Sequence, residues 1–226
     1  MIEEIDKYEE GNQDNFVNVG DPNNVNLFGS VGQSFTNIAV STIDSCKFYL
    51  KKSNSPTGDA VAKLYSHVGT YGSTSVTGLL LATSDNFDVS TLAASYQLIT
   101  FNFTGANRVK LDALTPYCIV FEYGAGDATN KVTMGTDTAG SSNHSGNMVY
   151  FYNGGWGFTG NRDIVFYVYG VVERIFRGIL NFLSKNSPLG LFRLSPEHDG
   201  FPRHLLPGLF QRFNSQKKKV NNLNKF

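Results

Sequence analysis

Apolar and polar side chains alternate with a period of two through the middle of this chain. In residues 43–51, Cys46, Phe48 and Leu50 alternate with Lys47, Tyr49 and Lys51, which is the pattern of a strand with one buried face. Residues 60–68 repeat it, with Ala60, Ala62 and Leu64 set against Val61, Lys63 and Tyr65, and Ile99, Phe101 and Phe103 alternate with Thr100 and Asn102. Residues 79–82 form a short apolar strand. The unbroken apolar run 117–123 predicts a central strand buried on both faces. Asn54-Ser55-Pro56-Thr57-Gly58 reads as a turn, because proline presets φ and glycine accepts the left-handed region. Residues 88–92 predict a turn or a brief helix capped by Asp88 or Ser90. Residues 69–77 and 124–145 are polar loops, the second interrupted by a strand at 131–134. Residues 147–170 place two aromatic, β-branched runs on either side of a loop, 153–160, that holds four glycines and the single tryptophan, Trp156. This predicts a hairpin with 164–170 as its second strand. About eight strands at short, regular spacing predict an antiparallel sandwich or barrel. No long helical pattern interrupts them, which argues against an α/β fold.

The two ends follow another grammar. Ile2, Ile5 and Tyr8 recur at nearly helical spacing, and Asp21-Pro22-Asn23-Asn24 is a turn, so residues 1–30 read as an N-terminal arm. After residue 170, Val172, Ile175, Phe176, Ile179, Leu180 and Leu183 fall on one helical face, with Arg174, Arg177 and Lys185 elsewhere. This predicts an amphipathic helix over 171–185, ended by Pro188 and Gly190. Beyond it, Phe192, Phe201, Leu205 and Phe210 are apolar anchors separated by prolines. Such a stretch cannot build its own core and is too apolar for a plain linker. It is expected to dock on another copy or on its own sandwich, with a membrane surface and an unstructured tail as the alternatives. The chain thus divides into 1–30, 31–170 and 171–226.

Composition agrees with strands and turns: 41% hydrophobic, 13% aromatic, only 17% charged, and 23 glycines. The net charge of zero hides an asymmetry. Residues 1–30 carry seven acids against Lys7, a net −6, and residues 173–226 carry ten bases against three acids, a net +7. Ends so charged meet a partner, or each other, or are simply solvated. The acidic start lacks the apolar core of a Sec signal peptide, and no apolar run is long enough for a spanning helix. No basic stripe interleaved with aromatics crosses the sandwich, so nucleic acid is not an expected partner.

The series Gly32-Gln33-Ser34-Phe35, Phe48-Tyr49-Leu50, Ala62-Lys63-Leu64-Tyr65, Leu81-Ala82-Thr83, Ile99 to Phe103, Leu114 to Val120 and Asp163 to Gly170 resembles a known type of module. It is similar in order to the jelly-roll-like β-sandwiches, of the choice-of-anchor type, found in bacterial surface proteins and in phage structural and decoration proteins. The resemblance covers residues 31–170. It implies a structural or binding module rather than an enzyme, and no catalytic residue comes with it. With no Sec signal, it leans toward a virion component, assembled in a host cytoplasm, whose partners are other copies or particle proteins.

Chemistry-bearing motifs are few. His67, His144, His198 and His204 lack the spacing of a zinc helix, so no metal and no cofactor are expected. Asp127, Asp137 and Asp163 lie near glycine-rich loops without the spacing of a calcium loop and read as turn residues. No nucleophile elbow or phosphate loop occurs. Cys46 and Cys118 each lie in a predicted strand; they can pair across a sandwich, but two buried free thiols fit better. The candidate site is the hairpin loop. There Trp156, Tyr152 and Phe158 offer a stacking face for a sugar ring, and Asn153 and Asn161 hydrogen-bond its hydroxyls. The competing reading is that Trp156 plugs one end of the sandwich.

Overall fold

A computed structural model describes residues 1–24, 26–138 and 144–173. In chain order its strands are β1 (Ile2–Tyr8), β2 (Asn15–Val19), β3 (Ser30–Asn37), β4 (Ser41–Ser53), β5 (Asp59–Val68), β6 (Val76–Thr83), β7 (Phe87–Asp88) and β8 (Gln97–Asn102). They continue with β9 (Lys110–Leu111), β10 (Thr115–Glu122), β11 (Lys131–Asp137), β12 (Met148–Tyr152), β13 (Gly155–Thr159), β14 (Asp163–Ile164) and β15 (Phe166–Val172). Three single-turn 3-10 helices, and no α-helix, occur among the described residues. One of them, Val89–Thr91, is capped as expected by Asp88, whose carboxylate accepts from the Ser90 N–H.

Two antiparallel sheets face each other. The first runs β1-β15-β4-β11-β14, with β2 added to β11 and β8 and β9 added to β4. The second runs β13-β12-β3-β10-β5-β6, with β7 on β5. Strand β4 is the spine of the first sheet. One of its edges pairs with β15 and then β11, and the other with β9 and then β8. Its alternation places Cys46, Phe48 and Leu50 at 0% exposure. Its outward face is tied down by the Tyr49–Tyr96 ring stack and by Lys51 over the Tyr96 ring. The core between the sheets joins these residues to Phe35, Ile119, Phe121, Leu64, Phe101, Phe166 and Val168. Strand β10 is buried on both faces, as its apolar run predicts, and each face meets a different cluster. Tyr117, Ile119 and Phe121 enter the main core, whereas Cys118 and Val120 belong to a second, smaller cluster with Tyr65 and Val149.

Several expectations are corrected. The N-terminal stretch is no detached arm: β1 pairs with β15, β2 pairs with β11, and Val17, Val19 and Leu27 lie in the core. A bulge between Glu4 and Asp6 interrupts the alternation of β1. It brings Ile5 and Tyr8 to the same side three residues apart, which imitates a helical spacing. The aromatic stretch 147–170 is not one hairpin either, because β12 and β15 belong to different sheets. Strand β15 continues through Val172, which pairs with Ser41, so Val172 is a strand residue and the strand outlasts the expected boundary at 170. Ile175, Phe176, Ile179, Leu180, Leu183, Phe192, Phe201, Leu205 and Phe210 lie outside the described residues. Cys46 and Cys118 are free and buried, one in each sheet. Burial alone pushes the Cys118 thiol up to about 12 and the Cys46 thiol well above its ordinary value.

Candidate binding cleft

Strands β12 and β13 form a two-residue hairpin in which Tyr152 faces Gly155 and Phe151 faces Trp156. The turn residues, Asn153 and Gly154, have φ of 49° and 77°. Two consecutive positive φ values are those of the Asn-Gly turn that matches the twist of paired strands. Trp156 therefore stands on a strand and not in a loop, and the hairpin's alternation decides what each aromatic can reach.

On one face lie Val149, Phe151, Trp156 and Phe158. Trp156 is half-buried, its ring 5.5 Å from Tyr65 and 5.5 Å from Phe151 in edge-on contacts. It covers the small cluster of Tyr65, Cys118, Val120 and Val149. Tyr65 lies on β5, four strands away along the second sheet. At about 4.8 Å per strand a flat sheet would hold these two strands ~19 Å apart. The sheet instead curls about β3, whose outward residues on this face, Ser30, Gly32 and Ser34, are small, and β13 comes close to β6. The indole thus closes a second hydrophobic layer on the outside of the sandwich. It neither plugs an end of the main core nor stands free as a stacking face. Burial in this layer pushes the Tyr65 hydroxyl up to about 12.

The other face of the hairpin carries Met148, Tyr150, Tyr152 and Thr159, and these line an open cleft of about 540 Å³. Phe28 completes an aromatic wall, its ring 5.1 Å from Tyr150 and 5.6 Å from Tyr152. Phe28 is held by backbone bonds, since its N–H donates to Asn18 and its carbonyl accepts from Gly20. The next N–H, of Gly29, donates to the Phe151 carbonyl, which fixes Phe28 against the hairpin. Asn26, Thr138, Asn161 and Arg162 form the polar rim. Asn161 follows β13 and accepts a short hydrogen bond from the Thr159 hydroxyl, which leaves its amide N–H groups for a ligand. Tyr152, at 40% exposure, is the most accessible ring of the wall.

The five residues singled out from the sequence are consequently divided. Tyr152 and Asn161 meet in the cleft, Trp156 and Phe158 point to the opposite face, and Asn153 sits at the turn. Sequence reasoning missed Phe28, Tyr150, Asn26 and Arg162. Tyr150 was within reach, since it is two residues from Tyr152 on the same strand. Phe28 was not, because its place depends on how 15–30 pairs with the sheets.

A buried polar network lies nearby and is engaged with itself. The His144 Nδ1 accepts from the Gly146 N–H at 3.1 Å, and its Nε2 lies 3.3 Å from an Asp6 oxygen. Gln33 donates to Asp163 and accepts from the Ile164 N–H, and Tyr8 donates to Asp137. These bonds satisfy polar groups where β1, β3, β11 and β14 converge. Among the described residues no group of three His, Cys, Asp or Glu side chains is placed to hold a metal ion. Asp127 is an exposed turn residue whose carboxylate accepts from the Asn130 N–H, the Asn130 side-chain amide and the Thr129 N–H, which holds its carboxyl below the usual range.

No protein-family model and no curated protein sequence matches the chain. Among solved structures it is similar to the cysteine protease and lectin-like domains of Cwp84, a surface layer associated protein of Clostridium difficile. That match has a TM-score of 0.38 and 15% identity, over 64% of this chain and 32% of the other. It is also similar to infectious bursal disease virus, Gx strain, with a TM-score of 0.25 and 14% identity, over 97% of this chain and 48% of the other. The chain thus spans about a third and about half of the length of these two structures. Likeness at this level bears on neither ligand nor partner. The sandwich rests on the strand pairing described above.

Proposed function

We propose that this protein is a non-enzymatic β-sandwich binding module whose cleft between the β12–β13 hairpin and Phe28 seats a sugar. The observation that carries this is the wall of Phe28, Tyr150 and Tyr152 rimmed by Asn26, Thr159 and Asn161. Aromatic faces suit the apolar C–H side of a pyranose, while amides and hydroxyls complement its edge. A concave surface that joins aromatic rings to convergent polar groups is a usual form of a small-ligand site. Tyr152→Ala is expected to lower glycan-array binding by about ten-fold or more, as loss of an aromatic anchor does, with little change in melting temperature because the ring is half in solvent. Trp156→Ala should destabilise the fold and spare binding. Undiminished glycan binding by Tyr152→Ala would sink this reading.

The second reading, a structural or decoration component of a phage-like particle with choice-of-anchor relatives, has its own support. Strand β6 ends the second sheet, and its successive leucines Leu79, Leu80 and Leu81 are 76%, 51% and 37% exposed. An apolar edge without lysine or proline is open to pairing with the β6 of a second copy. The basic, apolar C-terminal residues supply the rest of this reading from sequence alone, including a membrane surface as an alternative partner.

A further inference from the structure

We infer that the ligand of this cleft is an acidic sugar, a pyranose bearing a carboxylate, and that Arg162 is the residue that selects it; this rests on the sugar-binding reading above. Arg162 sits between β13 and β14, half-buried, with its side chain on the cleft. Every other arginine or lysine among the described residues lies over a ring, on a carboxylate or on a carbonyl, as with Arg108 on Asp44 at 2.9 Å and Lys63 on Glu122 at 2.5 Å. Arg162 has no hydrogen-bond or ion-pair partner among the described residues. The acids that adjoin the cleft in sequence are turned inward. Asp163 is 4% exposed and accepts from Gln33, and Asp137 is 5% exposed and accepts from Tyr8. Among the described residues no acid lines the cleft.

A guanidinium drawn partly out of water without a counter-charge is unfavourable unless something anionic completes it. Its planar fork of N–H donors matches a carboxylate in two parallel hydrogen bonds, a geometry that also gives direction. Arg162 is the sequence neighbour of Asn161, and both reach the cleft that Tyr152 walls. A ring stacked on the tyrosines therefore presents its edge to one amide and one guanidinium. A neutral sugar uses the first and leaves the second unpaired; a uronic acid uses both.

The test compares trisaccharides of galacturonic acid, of neutral galactose and of sulfated galactose by titration calorimetry against the full chain and against Arg162→Gln and Tyr152→Ala. Wild type is expected to bind the galacturonate at least ten-fold more tightly than the neutral sugar, the discrimination of a charge-assisted pair, with the sulfated sugar between them. Arg162→Gln should abolish that preference and melt within a few degrees of wild type. Equal wild-type affinity for acidic and neutral sugars, or a preference that survives Arg162→Gln, overturns the inference while the sugar-binding reading stands. A preference for the sulfated sugar over the galacturonate overturns the carboxylate in particular. No binding of any of the three overturns both.

Discussion

At the scale of single residues, small side chains do work that large ones cannot. Gly32 lies on β3 between Val120 and Val149. A Cβ there would stand 2.2 Å from the Ile119 carbonyl oxygen and 2.7 Å from the Val120 side chain. In an ordinary strand, alanine for glycine is favourable because it restricts the unfolded chain. Here the overlap is with backbone, which cannot step aside. Gly32→Ala is expected to lose about 1–3 kcal/mol of stability, read as a shifted urea midpoint with unchanged slope. An unshifted midpoint would show that the curl of the sheet does not depend on this position. In the sequence nothing marks Gly32 as a close-packing position among the 23 glycines, since nothing local shows the strand that will lie against it.

At the scale of elements, the period of two was readable and the pairing was not. Strands β4, β5 and β8 follow directly from their alternation, and β10 from its unbroken apolar run. The hairpin of β12 and β13 follows from its Asn-Gly turn once Tyr152 and Gly155 are taken as the closing pair. The looser reading, in which 153–160 is all loop, failed because Trp156 and Phe158 alternate with Gly155 and Gly157, and glycine-rich strands look like loops. Strand β6 carries a prediction at this scale. Leu80→Lys, placing a charge on the open edge, is expected to shift the full chain toward monomer in light scattering while leaving the fold intact. Wild-type protein that is already monomeric at high concentration would remove the edge from consideration as a contact between copies.

At the scale of the whole molecule, the second layer beneath Trp156 and the stack outside β4 give the fold a common response to alkali. Tyr65 and Tyr96 are pushed up to about 12 by burial first, and Cys118 to about 12 by burial alone. In each case the folded state holds the proton more tightly than the unfolded chain does. Their contribution is therefore fully present below the ordinary values, near 9 for the thiol and 10 for the phenols, and is lost as pH rises toward about 12. Chemical denaturation from pH 8 upward should show stability falling over that window. A flat profile would mean that these groups ionise in the folded state without cost.

By itself the sequence determined the all-β class, the strands with one buried face, the doubly buried β10 and the turn from Asn54 to Gly58, where both end residues have positive φ. Each depends on alternation, on an unbroken apolar run or on a φ preference within a few neighbouring residues. Only the tertiary structure decided that residues 1–30 complete the first sheet and that β12 and β15 part company. It alone assigned Trp156 to an outer layer while Tyr152 joins Phe28 and Arg162 at a cleft. Those outcomes depend on which strands pair and on how far a sheet curls. Both are set by contacts between residues more than a hundred positions apart, such as Ile2 with Val171 and Phe16 with Gly135, and no local pattern encodes them.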